Sequence, residues 1–289
     1  MLHEINVLLL EYLHFTDVLT LRVVNKEYKL AALDYSRPMT IRHTERWKDI
    51  FPNMKSFYVR HKTKIEDLKH LTHCHTLELY LYDIPGEIFR PFHLKELVLI
   101  DLNYLGNGQI NDQTFDYLTE LDKLYIEHNH NITNAALKKL KLKELTIHNC
   151  CNITEINMPT LVKLDLYNIY IRDDSLKNLH LEYLKMVFGK ITDTGICYLS
   201  NIRQLHLTAC DISCKGFSQL KQLTHLHISY SSLFNDESMR ELGKLKLKEL
   251  IIYGAKLDGY GFDYLKELPV KIFLYEVIMN HTWIHFKKV

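Results

Sequence analysis

The side chains in this sequence best suited to chemistry are its histidines and cysteines. His206, His225 and His227 recur on two consecutive copies of a short pattern, close enough in principle to share a metal ion. No carboxylate accompanies them at a fixed spacing, so solvated histidines that titrate between about pH 5 and 8 are expected in place of a zinc site. The triplets at 73–75 (HCH) and 128–130 (HNH) are weaker still, because alternation along a strand sends neighbours to opposite sides. The six cysteines, at 74, 150, 151, 197, 210 and 214, form no CxxC pair and lack the dense spacing of a secreted disulfide scaffold. A reducing compartment, cytoplasmic or nuclear, is the expectation. The chain carries no GxSxG, no HExxH and no phosphate-binding loop, and its 10 glycines do not cluster. No catalytic residue, cofactor or metal is expected, and the chain reads as a non-enzyme.

Thirty-six basic against 35 acidic side chains leave a formal charge of +1 over 289 residues. An electrostatic grip on nucleic acid or an anionic membrane needs a basic excess or patch, and only Lys287 and Lys288 at the end form a run, so neither partner is expected. No apolar stretch approaches the roughly 18 residues of a membrane span. The opening apolar run, Val7 to Leu10, is bracketed by Glu4 and Glu11 and reads as part of a helix, not as a signal peptide.

The elements that position these side chains are repeats. The shape LxxLxL recurs as LKELVL (94–99), LDKLYI (121–126), LKELTI (142–147), LVKLDL (161–166), LEYLKM (181–186), IRQLHL (202–207), LTHLHI (223–228) and LKELII (247–252). Weaker copies are SRPMTI (36–41), MKSFYV (54–59) and CHTLEL (74–79) upstream and VKIFLY (270–275) downstream. Most copies are followed by an apolar residue, a Thr, Asn, Asp or Ser, and apolar residues at helical spacing, as in INDQTFDYL (110–118) and ITDTGICYL (191–199), which predicts a short capped helix or turn. A unit of about 20 residues cannot enclose a core alone, so neighbours must stack with their leucines in one shared interior.

This pattern resembles the leucine-rich repeat, in particular its cysteine-containing subtype. Asn129, Cys150 and Cys210 fill the position whose side chain serves buried loop backbone, whereas Leu102, Ile169, Gly189, Ser231 and Ala255 depart from it there. The residues flanking the inner leucines form the open face of the sheet, which is rich in Tyr and His. Tyr125, Glu127, His148, Tyr167, Tyr183, His206, His227 and Tyr253 are the predicted contacts for an unknown target protein, since tyrosine supplies contact area at little entropic cost.

The first 33 residues have helical spacing and no LxxLxL. Ile5, Leu8, Leu9, Tyr12 and Leu13 share one apolar face, Val7 and Leu10 point elsewhere, and Val18, Leu19, Leu21, Val23 and Val24 cover nearly the whole circumference of a second helix. Apolar surface on several faces invites a partner. The segment resembles an F-box, with Glu4, Ile5, Tyr12, Leu13, Asp17, Leu19, Leu21, Arg22, Val24 and Lys26 matching in identity or type; Met1 and Leu2 stand in place of the family's Leu-Pro, and Tyr28 in place of its Trp. The resemblance implies the substrate-receptor subunit of an SCF-type (cullin-RING) ubiquitin ligase. Its F-box residues Met1, Leu2, Ile5, Leu9, Leu13, Val18, Leu19, Leu21 and Val24 would bind the ligase adaptor subunit bridging to a cullin, and its repeats would hold the target. The expected fold is α/β: F-box helices over 1–35, a leucine-rich-repeat horseshoe of about 11–12 repeats over 36–275, and a C-terminal cap over 276–289. The alternative is a repeat scaffold or decoy with no part in ubiquitin transfer, residues 1–33 serving as the cap that the first repeat needs.

Overall fold

The computed structural model describes residues 39–41, 56–59, 68, 71–72, 74–80, 84–101, 109–266, 269–279 and 282–288. The chain divides into two compact units, Met1–Asn131 and Ile132–Val289. The segment 1–35, read above as an F-box, lies outside the described residues.

Among its described residues the first unit carries five parallel strands, β1 Met39–Ile41, β2 Ser56–Val59, β3 Thr76–Tyr80, β4 Glu96–Ile100 and β5 Lys123–Glu127. They pair in sequence order and in register, so that Phe57, Leu77, Leu97 and Leu124 form one column and Val59, Leu79, Leu99 and Ile126 the next. Both columns are buried. The period of two sends every second side chain of a strand inward and buries the last two leucines of LxxLxL, whereas the first, such as Leu94 ahead of β4, is buried before the strand begins.

The second unit continues the plan with β6 Glu144–His148, β7 Lys163–Tyr167, β8 Tyr183–Val187, β9 Gln204–Thr208, β10 His225–Ser229 and β11 Glu249–Tyr253. A two-residue strand, β12 (Lys256–Leu257), precedes β13 (Lys271–Met279) and β14 (Thr282–Lys288). Leu145, Leu164, Leu184, Leu205, Leu226, Leu250 and Ile272 stand side by side across successive parallel pairs. The VKIFLY frame over 270–275 is off by one residue. Ile272 and Leu274 are buried, Phe273 is on the open face, and Leu250 pairs with Ile272. A slip of one residue exchanges the two faces of a strand, and burial of the two aliphatic side chains decides the register.

Beyond residue 275, where the repeats were expected to end, β13 runs on to Met279 and the chain returns as β14, antiparallel to it. The outer end of β13, Ile278 and Met279, also pairs in parallel with β12.

Between strands the chain returns through short turns of helix. Thr133 caps α1 (Asn134–Leu137) and Thr192 caps α2 (Asp193–Cys197), each side chain accepting a hydrogen bond from the backbone N–H two residues on. Asn111 with Thr114, and Asn235 with Ser238, form reciprocal capping boxes at the 3-10 turn Asp112–Asp116 and at α3 (Asp236–Leu242). The acidic residues here bind the repeat that follows. Asp173 accepts from the Thr192 N–H and hydroxyl at 2.8 and 2.6 Å, and Asp193 from the Ser213 N–H and hydroxyl at 3.2 and 2.6 Å. Asp236 accepts from the N–H groups of Asp258, Gly259 and Gly261 at 2.6, 2.9 and 2.7 Å. Each carboxylate thus satisfies backbone donors of the following repeat, from exposed at Thr192 to buried at Gly261.

Candidate functional site

The repeat strands β6 to β11 of the second unit all end in the same bend. Asn149, Asn168, Phe188, Ala209, Tyr230 and Gly254, each one residue past its strand, have φ between 50° and 62°, as does His128 in the first unit (58°). From Asn149 to Tyr230 the N–H of this residue donates to the carbonyl that ends the next strand, at 2.8 to 2.9 Å. The ladder gains a rung while the chain turns. Asn and Gly adopt this left-handed geometry readily, whereas for Phe188 and Tyr230 it costs on the order of 1–2 kcal/mol.

The next residue closes the turn inside the stack. Asn129 is buried, donates to the Ile110 carbonyl at 3.3 Å and accepts from the Asn131 N–H at 2.9 Å. Cys210 sits 3.5 Å from the Thr208 carbonyl and 3.7 Å from that of Met186, and burial pushes its thiol up, so it remains an S–H donor. Cys150 donates to the His148 carbonyl at 3.3 Å. Ser231, a departure from the Asn/Cys pattern, serves the same purpose, since its hydroxyl accepts from the Ile212 N–H at 3.1 Å and donates to the Ile212 carbonyl at 2.9 Å. At Gly189 a side chain would collide with Met186.

The open face of the second unit holds a layered set of rings and charges. In its middle row Asp165 bonds Lys185 at 3.0 Å and lies 3.7 Å from His148 Nε2. Burial acts to raise the Asp165 pKa, but the nearby His148 imidazole and the hydrogen bond from Lys185 outweigh it and hold the carboxyl below its ordinary value. Tyr183 stacks on His206 at 5.4 Å, and His206 meets His227 edge-on at 5.6 Å. His227 Nε2 lies 2.7 Å from the Ser229 hydroxyl. Burial lowers the pKa of both imidazoles, the charges of His227 and Lys185 adding to the effect at His206. His225 turns away to the Thr224 hydroxyl at 2.9 Å, so the three histidines do not converge.

Of the predicted target contacts, His148, Tyr167, Tyr183, His206, His227 and Tyr253 stand on this face of the second unit. His148 and Tyr167 are in ring contact at 5.6 Å. Tyr125 and Glu127 belong to the first unit, where the Tyr125 hydroxyl donates to Glu127 at 2.5 Å and His128 Nε2 lies 3.4 Å from the same carboxylate. The adaptor-binding set, Met1, Leu2, Ile5, Leu9, Leu13, Val18, Leu19, Leu21 and Val24, lies outside the described residues.

Sequence reasoning missed the residues just past the strands. Phe188 and Tyr230 are 47% and 54% exposed, and each extends a predicted contact: Phe188 meets Tyr167 edge-on at 5.6 Å, and Tyr230 meets Tyr253 at 4.9 Å. Tyr170, 52% exposed, carries the Lys190 ammonium 4.7 Å above its ring. The signal that could have found them is an aromatic residue directly after a strand, where Asn or Gly fits the backbone better. Among the described residues no group of His, Cys, Asp and Glu is arranged to hold a metal ion, and no helix is long and apolar enough to cross a membrane.

No family model matches the chain. It is 25% identical over 190 residues to lumican of Oryctolagus cuniculus, a match spanning 57% of this chain and 98% of that protein. Among solved structures it is similar to an internalin from Listeria monocytogenes, with a TM-score of 0.59 and 18% identity over 91% of this chain and 81% of the other. A chain in an octameric complex of Latrophilin 3, Unc5D and the leucine-rich repeats of FLRT2 matches with a TM-score of 0.51 and 17% identity, over 78% of this chain and 76% of that one. These are likenesses of fold, and together with the in-register strands and buried leucine columns they make the described residues a leucine-rich-repeat scaffold.

Proposed function

We propose that this chain is the substrate-recognition subunit of an SCF-type (cullin-RING) E3 ubiquitin ligase, acting in the cytoplasm or nucleus. In this reading residues 1–35 bind the adaptor subunit that bridges to a cullin, the repeat face holds the target protein, and neither part is catalytic. The observation that carries the reading is the order of the two sequence patterns, an F-box-like helical segment directly ahead of leucine-rich repeats. The repeats contribute a rigid, ring-rich face. A hydrogen bond from Lys185 holds the Asp165 carboxylate in place, with His148 3.7 Å from its other oxygen, and Tyr183, His206 and His227 are in ring contact across three adjacent strands. Side chains fixed before binding lose little entropy when a partner arrives.

The test is co-purification with the ligase adaptor. Aspartate at Leu9 and Leu19 should abolish the association while circular dichroism shows the repeats still folded. Absence of association by the unaltered chain at micromolar concentrations would leave only the scaffold. Affinity purification with mass spectrometry, comparing the unaltered chain with the doubly substituted one, would then identify the target.

A further inference from the structure

In the second unit the sheet ends on a strand that runs against its neighbour. β11 and β12 lie along one edge of β13 as a single interrupted strand, with Tyr253 opposite Tyr275 and Lys256 opposite Ile278, three residues further on in both. β14 takes the other edge, antiparallel, with Phe273 opposite Lys288 and Met279 opposite Thr282. Among the described residues β14 pairs with β13 alone. Its outer edge therefore presents backbone N–H and C=O groups with no described strand beside them, and a row of such groups is a template for another strand.

The sequence of β14 selects the strand that fits. TWIHFKK, from Thr282 to Lys288, holds β-branched and aromatic residues, no proline, no glycine and no acid, and both of its lysines stand at one end. Parallel pairing with the same strand of a second copy sets Lys287 against Lys287 and Lys288 against Lys288, and like charges directly opposite each other are destabilising. Antiparallel pairing centred on His285 does the reverse. It brings the whole strand into register, carries the lysines to opposite ends of the joint, and sets Lys288 opposite Thr282, Lys287 opposite Trp283 and Phe286 opposite Ile284. Centring on Ile284 or Phe286 shortens the paired stretch, and centring on Lys287 sets that residue against itself. An aromatic residue opposite a β-branched or cationic one is a favourable cross-strand pair. The arrangement is its own complement, so it closes on a two-fold axis and stops at a dimer.

We propose that two copies of this chain associate through the outer edges of β14, antiparallel and centred on His285, so that their sheets join across a two-fold axis. The joint uses the edge of the sheet, whereas the target is proposed for its face, and it is independent of ubiquitin transfer.

The experiment is analytical ultracentrifugation of the purified full chain under reducing conditions, from about 1 to 200 µM, with no ligase component. A monomer–dimer equilibrium with its midpoint below about 100 µM is expected, as for a small interface. Two substitutions at one position read the register. Thr282→Lys sets a lysine against Lys288 at both ends of the joint and should weaken the dimer by about 10-fold. Thr282→Glu sets a carboxylate there and should tighten it several-fold, and both effects should shrink in roughly 0.5 M salt. Within one copy Thr282 stands opposite Met279, so neither change meets a charge directly across the hairpin, and circular dichroism checks that both variants are folded. A folded chain that stays monomeric at about 200 µM overturns the proposal. So does a dimer that Thr282→Lys and Thr282→Glu leave unchanged or shift in the same direction. Oligomers that keep growing with concentration overturn the two-fold closure.

Discussion

Asp165 and Lys185 face each other across β7 and β8, Oδ2 to Nζ 3.0 Å, in a row of the open face that otherwise runs through Thr146, His206 and His227. Position in the sheet gives the pair its fixed geometry, since the two residues are direct register partners. His148, two residues beyond Asp165's register partner Thr146 on the neighbouring strand, approaches the other oxygen of the same carboxylate.

Replacing Asp165 by Asn should therefore destabilise the second unit modestly, by about 1 kcal/mol, because Lys185 is partly exposed and solvent screens the charge that remains. Urea denaturation at pH 7 measures this. Folding lowers the Asp165 pKa, so the folded chain binds this proton less readily than the unfolded one. Its stabilisation is present in full above the ordinary value of 3.8 and is lost as the pH falls through the folded value. The Asn variant should show a shallower acid limb; an unchanged limb would assign the acid sensitivity to other carboxylates.

The histidine pair predicts a second pH dependence, in a different window. His206 and His227 are both depressed below their ordinary 6.5, principally by burial. Around His206 stand His227 and Lys185, which lower its pKa further, and Asp165 and Glu249, which oppose them. Since the unfolded chain takes up these protons first, stability is complete above about pH 6.5 and declines as the pH drops toward the folded values. Thermal melts from pH 7.5 to 5.0 should show this decline. His206→Gln should flatten it by removing one of the two proton sites.

Ser231 offers a sharper stability test. Its hydroxyl answers both the N–H and the carbonyl of Ile212 inside the stack. Ser231→Ala leaves the buried Ile212 carbonyl without this donor, while the Ile212 N–H keeps its bond to the Cys210 carbonyl at 2.9 Å, and should cost about 1–2 kcal/mol. Ser232, next to it but exposed and bonded to Asp211, is the control: Ser232→Ala should cost under about 0.5 kcal/mol. Equal losses at the two sites would refute the bridging role of Ser231.

The parts of this structure that were legible in the sequence are those in which the residue type alone settles the matter. Leucine columns, Asn or Thr caps ahead of helices, and Asn129, Cys150 and Cys210 behind strands each satisfy a local rule. Ser231 was not legible, because a serine after a strand looks like any loop residue until the neighbouring Ile212 is brought beside it. The same holds for Asp173, Asp193 and Asp236. They read as helix-start residues, and their actual partners are backbone groups 19 to 25 residues later. The one-residue error at 270–275 arose where Ile272, Phe273 and Leu274 are consecutively apolar, so the pattern alone allows either face.

The bend after each strand supplies the last prediction and separates folding from binding. Phe188 occupies a left-handed position that Asn149, Asn168 and Gly254 occupy without difficulty. Nearly half of its surface is open to solvent, so burial returns little for the backbone strain. Phe188→Asn removes the edge contact with Tyr167 but relieves the β-carbon conflict that phenylalanine meets at positive φ, and asparagine adopts that conformation far more readily. The expected outcome is a melting temperature unchanged or raised, with stability altered by 0 to about +1 kcal/mol. A residue kept for packing would behave in the opposite way, since taking it out strips the fold of buried apolar area and lowers the melting temperature. A fall of several degrees in Phe188→Asn would therefore assign the ring to the fold, whereas a stable variant shows that the fold does not depend on it.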